Sequence, residues 1–222
     1  MEFKSMRILL IGDSISIHYF PTLKQAMGQG IDWVDRTPDL IERSQVDLDE
    51  PAVVNCGDSN RALNILTKVM QREGDRIDMV LANCGLHDIK RFLGSDGCQV
   101  VLTDYQRNVQ QMVATVKSYG IPFVWIRSTP VNGSIHNQLK PDMHRYEADL
   151  DMYNQAADRI MRDCEVPVID LFGFTGQLGD IQNLLCDHVH FADWVRKLQG
   201  AYLAGCIQSF MNPLSCVYAV SH

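Results

Sequence analysis

The feature that most constrains the fold is an alternation between short, continuously apolar runs and longer segments with helical periodicity. Apolar runs occupy residues 7–11, 79–82, 122–126 and 166–171, with shorter ones at 30–34 and 52–55. Between them, Ala62, Ile65, Leu66, Val69 and Met70 recur at helical spacing over residues 61–71. Val109, Met112, Val113 and Val116 do so over 105–118, and Leu150, Tyr153, Ala157, Ile160 and Met161 over 146–162. Further helices are predicted around residues 19–27 and from a cap at Asp193 to about residue 210. Strands that are apolar without alternation are covered on both faces, and parallel strands must be returned by a crossover. The expected class is therefore α/β: a three-layer α/β/α sandwich around a central parallel, flavodoxin-like sheet. With no linker, repeat or low-complexity stretch, residues 1–222 are read as one domain.

Charge and composition exclude several functions. A net charge of -7 and a pI near 5.4 argue against general binding to nucleic acid or anionic membranes. Lys90-Arg91 and Arg196-Lys197 are the densest basic pairs. No run approaches the roughly 20 apolar residues of a membrane span. The apolar stretch 8–11 is too short for a signal peptide, so cytoplasm is the expected location, with a trimmed leader left open. Seven cysteines form no CxxC pair. Cys56, Cys84, Cys164 and Cys206 lie in or beside apolar segments and are expected to be buried free thiols.

In parallel α/β sheets ligands bind at the carboxyl ends of the strands. Five segments should meet there: Gly12-Asp13-Ser14, Asn55-Cys56-Gly57, Gly85-Leu86-His87-Asp88, Thr129 and Asp187-His188-Val189-His190. Ser14, on a strand-to-helix turn, is a candidate nucleophile; an isolated serine there is more commonly a helix N-cap. His190 is the candidate general base, because its ordinary pKa of about 6.5 lets it take and return a proton near neutrality. Asp187, three residues earlier, would orient that ring. Gly57 lets backbone approach a ligand closely and offers its N–H to an oxyanion, though a plain turn glycine explains it equally. Gly85 permits a tight turn that aims His87 at the same region.

These blocks resemble the SGNH hydrolases, the GDSL-type esterases and lipases, across residues 7–206. Gly12-Asp13-Ser14 is similar to the family's first block, Asn55-Cys56-Gly57 to the second, and Asp187-His188-Val189-His190 to the fifth. The resemblance implies a catalytic triad of Ser14, Asp187 and His190, an oxyanion hole from the N–H groups of Ser14 and Gly57, and no cofactor or metal. The third block departs from the pattern: His87 stands where the family has an asparagine whose amide donates to the oxyanion. A neutral imidazole also has one N–H to give. The implied function is a serine ester hydrolase. The loops at 89–103 and 131–145 carry Lys90, Arg91, Lys140 and Arg145 without a long apolar stretch. That composition suits a short acyl ester, such as acetyl, of a polar small-molecule or carbohydrate alcohol. Acyltransferase, thioesterase and lysophospholipase activities use the same residues. A non-catalytic binding domain is an alternative, supported by the third-block change. A metal site at Cys186, Asp187, His188 and His190 is disfavoured by the poor chelate geometry of adjacent ligands. A nucleotide site lacks its glycine-rich loop. Oligomeric state is left open.

Overall fold

The computed structural model describes residues 5–34 and 55–211. Five strands form the central sheet: β1 (Met6–Ile11), β2 (Ile31–Trp33), β3 (Met79–Ala82), β5 (Phe123–Ile126) and β7 (Val168–Ile169). Their order is β2-β1-β3-β5-β7 and every pairing is parallel. Ile8–Ile11, β3 and β5 are buried throughout, as the unbroken apolar runs require when helices cover both faces. Helix α1 (Ser14–Met27) packs on α8 (Asp193–Met211). Helix α3 (Leu102–Ser118) packs between α2 (Ser59–Glu73) and α5 (Glu147–Asp163). The result is a parallel sheet between two helical layers, with the strand order of flavodoxin-like folds.

Some boundaries differ from the sequence expectation. Helix α1 starts five residues before the predicted start, at Ser14, because Asp13 caps it: its Oδ1 accepts from the Ile15 N–H at 3.0 Å. The expected strand at 166–171 shortens to Val168–Ile169, since Asp170 caps a short helix α6 (Leu171–Gly176) by accepting from the Gly173 N–H. Asp193 is the first residue of α8 and pairs with Lys197 one turn on. Most of the apolar run at 52–55 lies outside the described residues; Asn55 is in a loop. Cys56 and Cys84 are buried free thiols, whereas Cys164 and Cys206 are only half-buried.

One local structure is absent from the sequence reading. The loops after β3 and after α4 (Gly133–Leu139) pair as a two-residue antiparallel ribbon, β4 (Arg91–Phe92) with β6 (Met143–His144). The ion pair of Arg91 with Asp149, on α5, anchors this ribbon through two 2.7 Å hydrogen bonds. Phe92 and Met143 of the ribbon share a cavity lining with Ser14, which follows the carboxyl end of β1. The remaining short helix is α7 (Ile181–Leu184), and no helix among the described residues is long and apolar enough to cross a membrane.

Candidate active site

The order β2-β1-β3 places a topological switch at the carboxyl ends of β1 and β3, where the chain leaves in opposite directions. Ser14 follows β1 directly. Since Asp13 serves as N-cap, the Ser14 hydroxyl is not consumed in capping. As the first helical residue, Ser14 also keeps its own N–H outside the intrahelical ladder. The Ser14 hydroxyl lies 2.8 Å from His190 Nε2, across 176 positions of sequence. His190 Nδ1 lies 2.7 Å from Asp187 Oδ2.

Local backbone geometry supplies Asp187. Its Oδ1 accepts from the N–H groups of Val189 at 2.8 Å and His190 at 2.7 Å, leaving Oδ2 for the imidazole. Partial burial opposes ionisation of Asp187. The two backbone donors and the His190 ring outweigh it and hold the carboxyl down at about 2. The aspartate therefore stays anionic, which selects the His190 tautomer with hydrogen on Nδ1 and leaves Nε2 to accept the serine proton.

Two glycine turns bring further backbone to this edge. Gly57 has φ +61°, a conformation that side chains rarely adopt, and the Cys56 N–H donates to the Gly12 carbonyl at 3.0 Å. The second block is thus tied to the turn that carries Ser14. The Gly57 N–H, however, donates to Asn55 Oδ1 at 2.8 Å, so the donor assigned to an oxyanion is engaged within its own turn. Gly85, at φ +148°, lies so close to Ser128 that an added Cβ would sit 2.7 Å from its hydroxyl. Asn83 crosses from the end of β3 to the Ile126 carbonyl and the Ser128 hydroxyl at 2.7 and 3.2 Å, fixing the start of the third block. Asp88 braces its end by accepting from the Ser59 N–H at 2.9 and 3.1 Å.

His87 lies between these braces, and its ring makes no hydrogen bond to another described residue. Burial, aided by the positive charge of Lys90 and Arg145, pushes its pKa well below the ordinary value. His87 is therefore neutral and carries one N–H donor. It lines a cavity of about 260 Å³ together with Ser14, Lys90, Arg145, His188 and His190. The cavity wall mixes polar and apolar surface, and Phe92 and Met143 of the β4–β6 ribbon stand in it. A larger cavity of about 520 Å³ at the amino ends of β1, β3 and β5 is lined by Met6, Met79 and Phe123, with Lys117 and Glu165 beside them and no serine, cysteine or histidine among its described lining residues.

Two histidines join the site without having been expected. His18 stands one helical turn after Ser14, with its ring centroid 4.7 Å from that of His190. Burial and the nearby His190 and Arg196 lower its pKa to about 4, so it is a neutral neighbour. The four-residue spacing from Ser14 was a readable signal, because residues so spaced share a helix face. His136, from α4, is buried, with its ring stacked 4.8 Å from His188, and it meets Arg145 Nη1 at 2.8 Å. No sequence pattern links these three. Among the described residues, no group of three or more His, Cys, Asp or Glu side chains is placed to hold a metal ion.

The GDSL-like lipase/acylhydrolase family model matches residues 10–194. No relative is detected among curated protein sequences. A lipase/acylhydrolase from Enterococcus faecalis superposes with a TM-score of 0.68 at 18% identity, covering 92% of this chain and 96% of its own. The psychrotrophic esterase EstA from Pseudoalteromonas sp. gives 0.63 at 15% identity, covering 94% of this chain and 100% of its own. Est24, a carbohydrate acetylesterase from Sinorhizobium meliloti, gives 0.60 at 10% identity, covering 93% and 100%. At these identities the superpositions establish the fold.

Proposed function

Since the chain belongs to the GDSL-like lipase/acylhydrolase family and is a serine hydrolase of that class, we propose that it cleaves a short acyl ester of a polar alcohol through an acyl-enzyme on Ser14. The observation that carries this reading is the single imidazole of His190, 2.8 Å from the Ser14 hydroxyl and 2.7 Å from the Asp187 carboxylate. Ser14 Oγ attacks the ester carbonyl while His190 Nε2 takes its proton. The negative charge of Asp187 stabilises the resulting imidazolium. His190 then returns the proton to the leaving alkoxide, so the alcohol departs neutral. A water molecule, deprotonated by the same nitrogen, attacks the acyl-serine and releases the acid.

The oxyanion that forms in both steps is received by the Ser14 N–H, by neutral His87 and by the Gly57 N–H. The last is shared with Asn55 Oδ1, as a three-centre hydrogen bond permits. A donor aimed at developing charge is worth about 10²–10³ in rate. The small cavity, with charged and polar side chains in its wall, supports a short acyl group, and an acetyl ester of a carbohydrate is the form we favour. The superposition with a carbohydrate acetylesterase is compatible with it. A one-domain, cytoplasmic enzyme without a cofactor completes the reading; the buried free thiols of Cys56 and Cys84 suit a reducing compartment.

A fluorophosphonate probe tests the mechanism. The expected adduct maps to Ser14 by mass spectrometry and is lost in Ser14→Ala and His190→Ala. Folded wild-type protein that stays unlabelled at Ser14 overturns the proposal. Aryl esters of increasing chain length test the substrate, with acetate expected to be turned over faster than octanoate.

A further inference from the structure

The β4–β6 ribbon has two faces, and its register sorts the side chains between them. Arg91 faces His144 across the ribbon, and Phe92 faces Met143. Successive residues of a strand point to opposite sides, so Arg91 and His144 share one face and Phe92 and Met143 the other. The first face is committed within the fold. Arg91 meets Asp149 through two 2.7 Å hydrogen bonds and lies 5.8 Å from the centre of the Tyr146 ring. His144 Nδ1 is 3.2 Å from the Tyr146 hydroxyl. The second face is cavity wall: Phe92 and Met143 line the same space of about 260 Å³ as Ser14, His87 and His190.

Phe92 and Met143 are not core residues. Phe92 is 49% exposed and Met143 is half-buried. A single exposed apolar side chain carries no meaning by itself. These two are a facing cross-strand pair, with Cβ atoms about 4.5–5.5 Å apart in such a position, so they make one continuous surface. That surface borders a nucleophile. The backbone beneath it is braced. The Leu93 N–H donates to the Asp142 carbonyl at 3.0 Å, the Met143 N–H to the Lys140 carbonyl at 3.2 Å and the Ser95 N–H to the Phe92 carbonyl at 2.9 Å. An aromatic side chain has only two torsions to fix, so on a braced ribbon it loses little freedom when it meets a ligand.

We propose that Phe92 and Met143 form a platform for the ring of the departing alcohol, and that this alcohol is cyclic, a sugar or an aryl group presenting one flat face. The inference rests on the hydrolase reading above and specifies its substrate. Ser14 and His190 are buried, so the bond-breaking centre lies at the inner end of the cavity and half-exposed Phe92 at its mouth. A short acyl group stays at the inner end, which leaves the alcohol to reach the platform. A ring laid on Phe92 takes apolar surface of both partners out of water while its rim stays solvated. Asp142 and His188 line the same cavity and give ring hydroxyls polar neighbours.

Three acetates of primary alcohols separate ring from chain: methyl 6-O-acetyl-glucopyranoside, benzyl acetate and 2-hydroxyethyl acetate. The expected ratio of kcat/KM, ring over open chain, is about tenfold or more for at least one ring ester. Whichever ring gives the larger ratio identifies the alcohol as sugar or aryl. Phe92→Ala is expected to bring that ratio towards one, mainly through KM. Phe92→Tyr, which keeps the ring, should retain it, and Met143→Ala should lower it less. A ratio near one for both rings in the wild type overturns the platform. So does an equal loss on ring and open-chain esters in Phe92→Ala. A loss that instead follows acyl length, read from 2-hydroxyethyl hexanoate against the acetate, also overturns it, since that assigns the pair to the acyl group. Each of these outcomes with Ser14 labelled by a fluorophosphonate leaves the hydrolase standing and removes only the platform. Absence of turnover on every ester, with Ser14 unlabelled, removes the hydrolase and the platform with it.

Discussion

The two sides of the Ser14 cavity are built differently. On the side we propose for proton transfer, Asp187, His190 and Ser14 form a continuous line at 2.7 and 2.8 Å, with the second Asp187 oxygen held by two backbone N–H groups. On the opposite side, the Gly57 N–H is turned onto Asn55 and the His87 ring makes no hydrogen bond to another described residue. The difference follows from when each charge exists. The carboxylate and imidazole interact in the resting protein, so their geometry is set by their own attraction. In the mechanism we propose, the oxyanion forms only during the reaction, and a wall complementary to it has donors that are spare or lent elsewhere at rest.

The largest effects should come from breaking the assembled side. Ser14→Ala is expected to lower kcat by about 10⁵–10⁶. Asp187→Asn retains an oxygen for the two backbone donors but presents an amide to Nδ1, which favours the wrong tautomer. The expected loss is about 10⁴ in kcat. Thermal melts must show both variants folded. A loss under tenfold in Asp187→Asn would mean that the hydrogen-bonded line does not carry the proton transfer, and the contrast between the two sides would fail.

The spare side should respond more weakly and in a way that reports charge. His87→Ala is expected to lower kcat by about 10²–10³ with KM little changed, and His87→Asn, which restores an N–H donor, to recover part of it. An unchanged kcat in His87→Ala removes that ring from the oxyanion hole. Asn55→Asp is the sharper probe. It puts a carboxylate on the acceptor that now holds the Gly57 N–H. If the oxyanion shares that donor, the added negative charge beside it should cost roughly 10–100-fold in kcat. Steady-state kinetics of Asn55→Asp beside Asn55→Ala separate charge from shape. Equal effects in the two would exclude Gly57 as a shared donor.

Legibility in the sequence followed the same division. The strands β1, β3 and β5 were readable because continuous apolar runs have one stable use in a parallel sheet. Ser14 and the pair Asp187 and His190 were readable because strand ends converge on one edge whatever lies between them. Ser14 and His190 are 176 positions apart and touch because topology brings them together. The β4–β6 ribbon was not readable. Its strands are two residues long and their pairing depends on an anchor to Asp149 distant in sequence. His136 was hidden for the same reason, since it joins the site only through the fold of α4 against His188. The engagement of Gly57 with Asn55 is an Asx turn, so its two-residue spacing was present in the sequence and went unread.

Asp88 sits behind the His87 wall, and the change there should be the smallest in activity yet visible in stability. Its carboxylate is fully buried and accepts from the Ser59 N–H through both oxygens. Burial raises its pKa to about 7, above the value of about 3.9 expected in an unfolded chain. The folded state therefore takes up a proton that the unfolded state releases. The carboxyl's contribution is most favourable below about pH 4, declines as pH rises from 4 to 7, and is flat above that. Asp88→Asn keeps an oxygen for the Ser59 N–H and cannot ionise. The Tm of Asp88→Asn minus that of the wild type should rise between pH 4 and 7, by about 2–4 °C for each kcal/mol involved. With His87 still braced by Gly85 and the β3 end, kcat should change little. A pH-independent Tm difference would show that Asp88 does not exchange a proton on folding. A large fall in kcat with stability intact would mean that charge behind His87 helps to shape the spare side of the site.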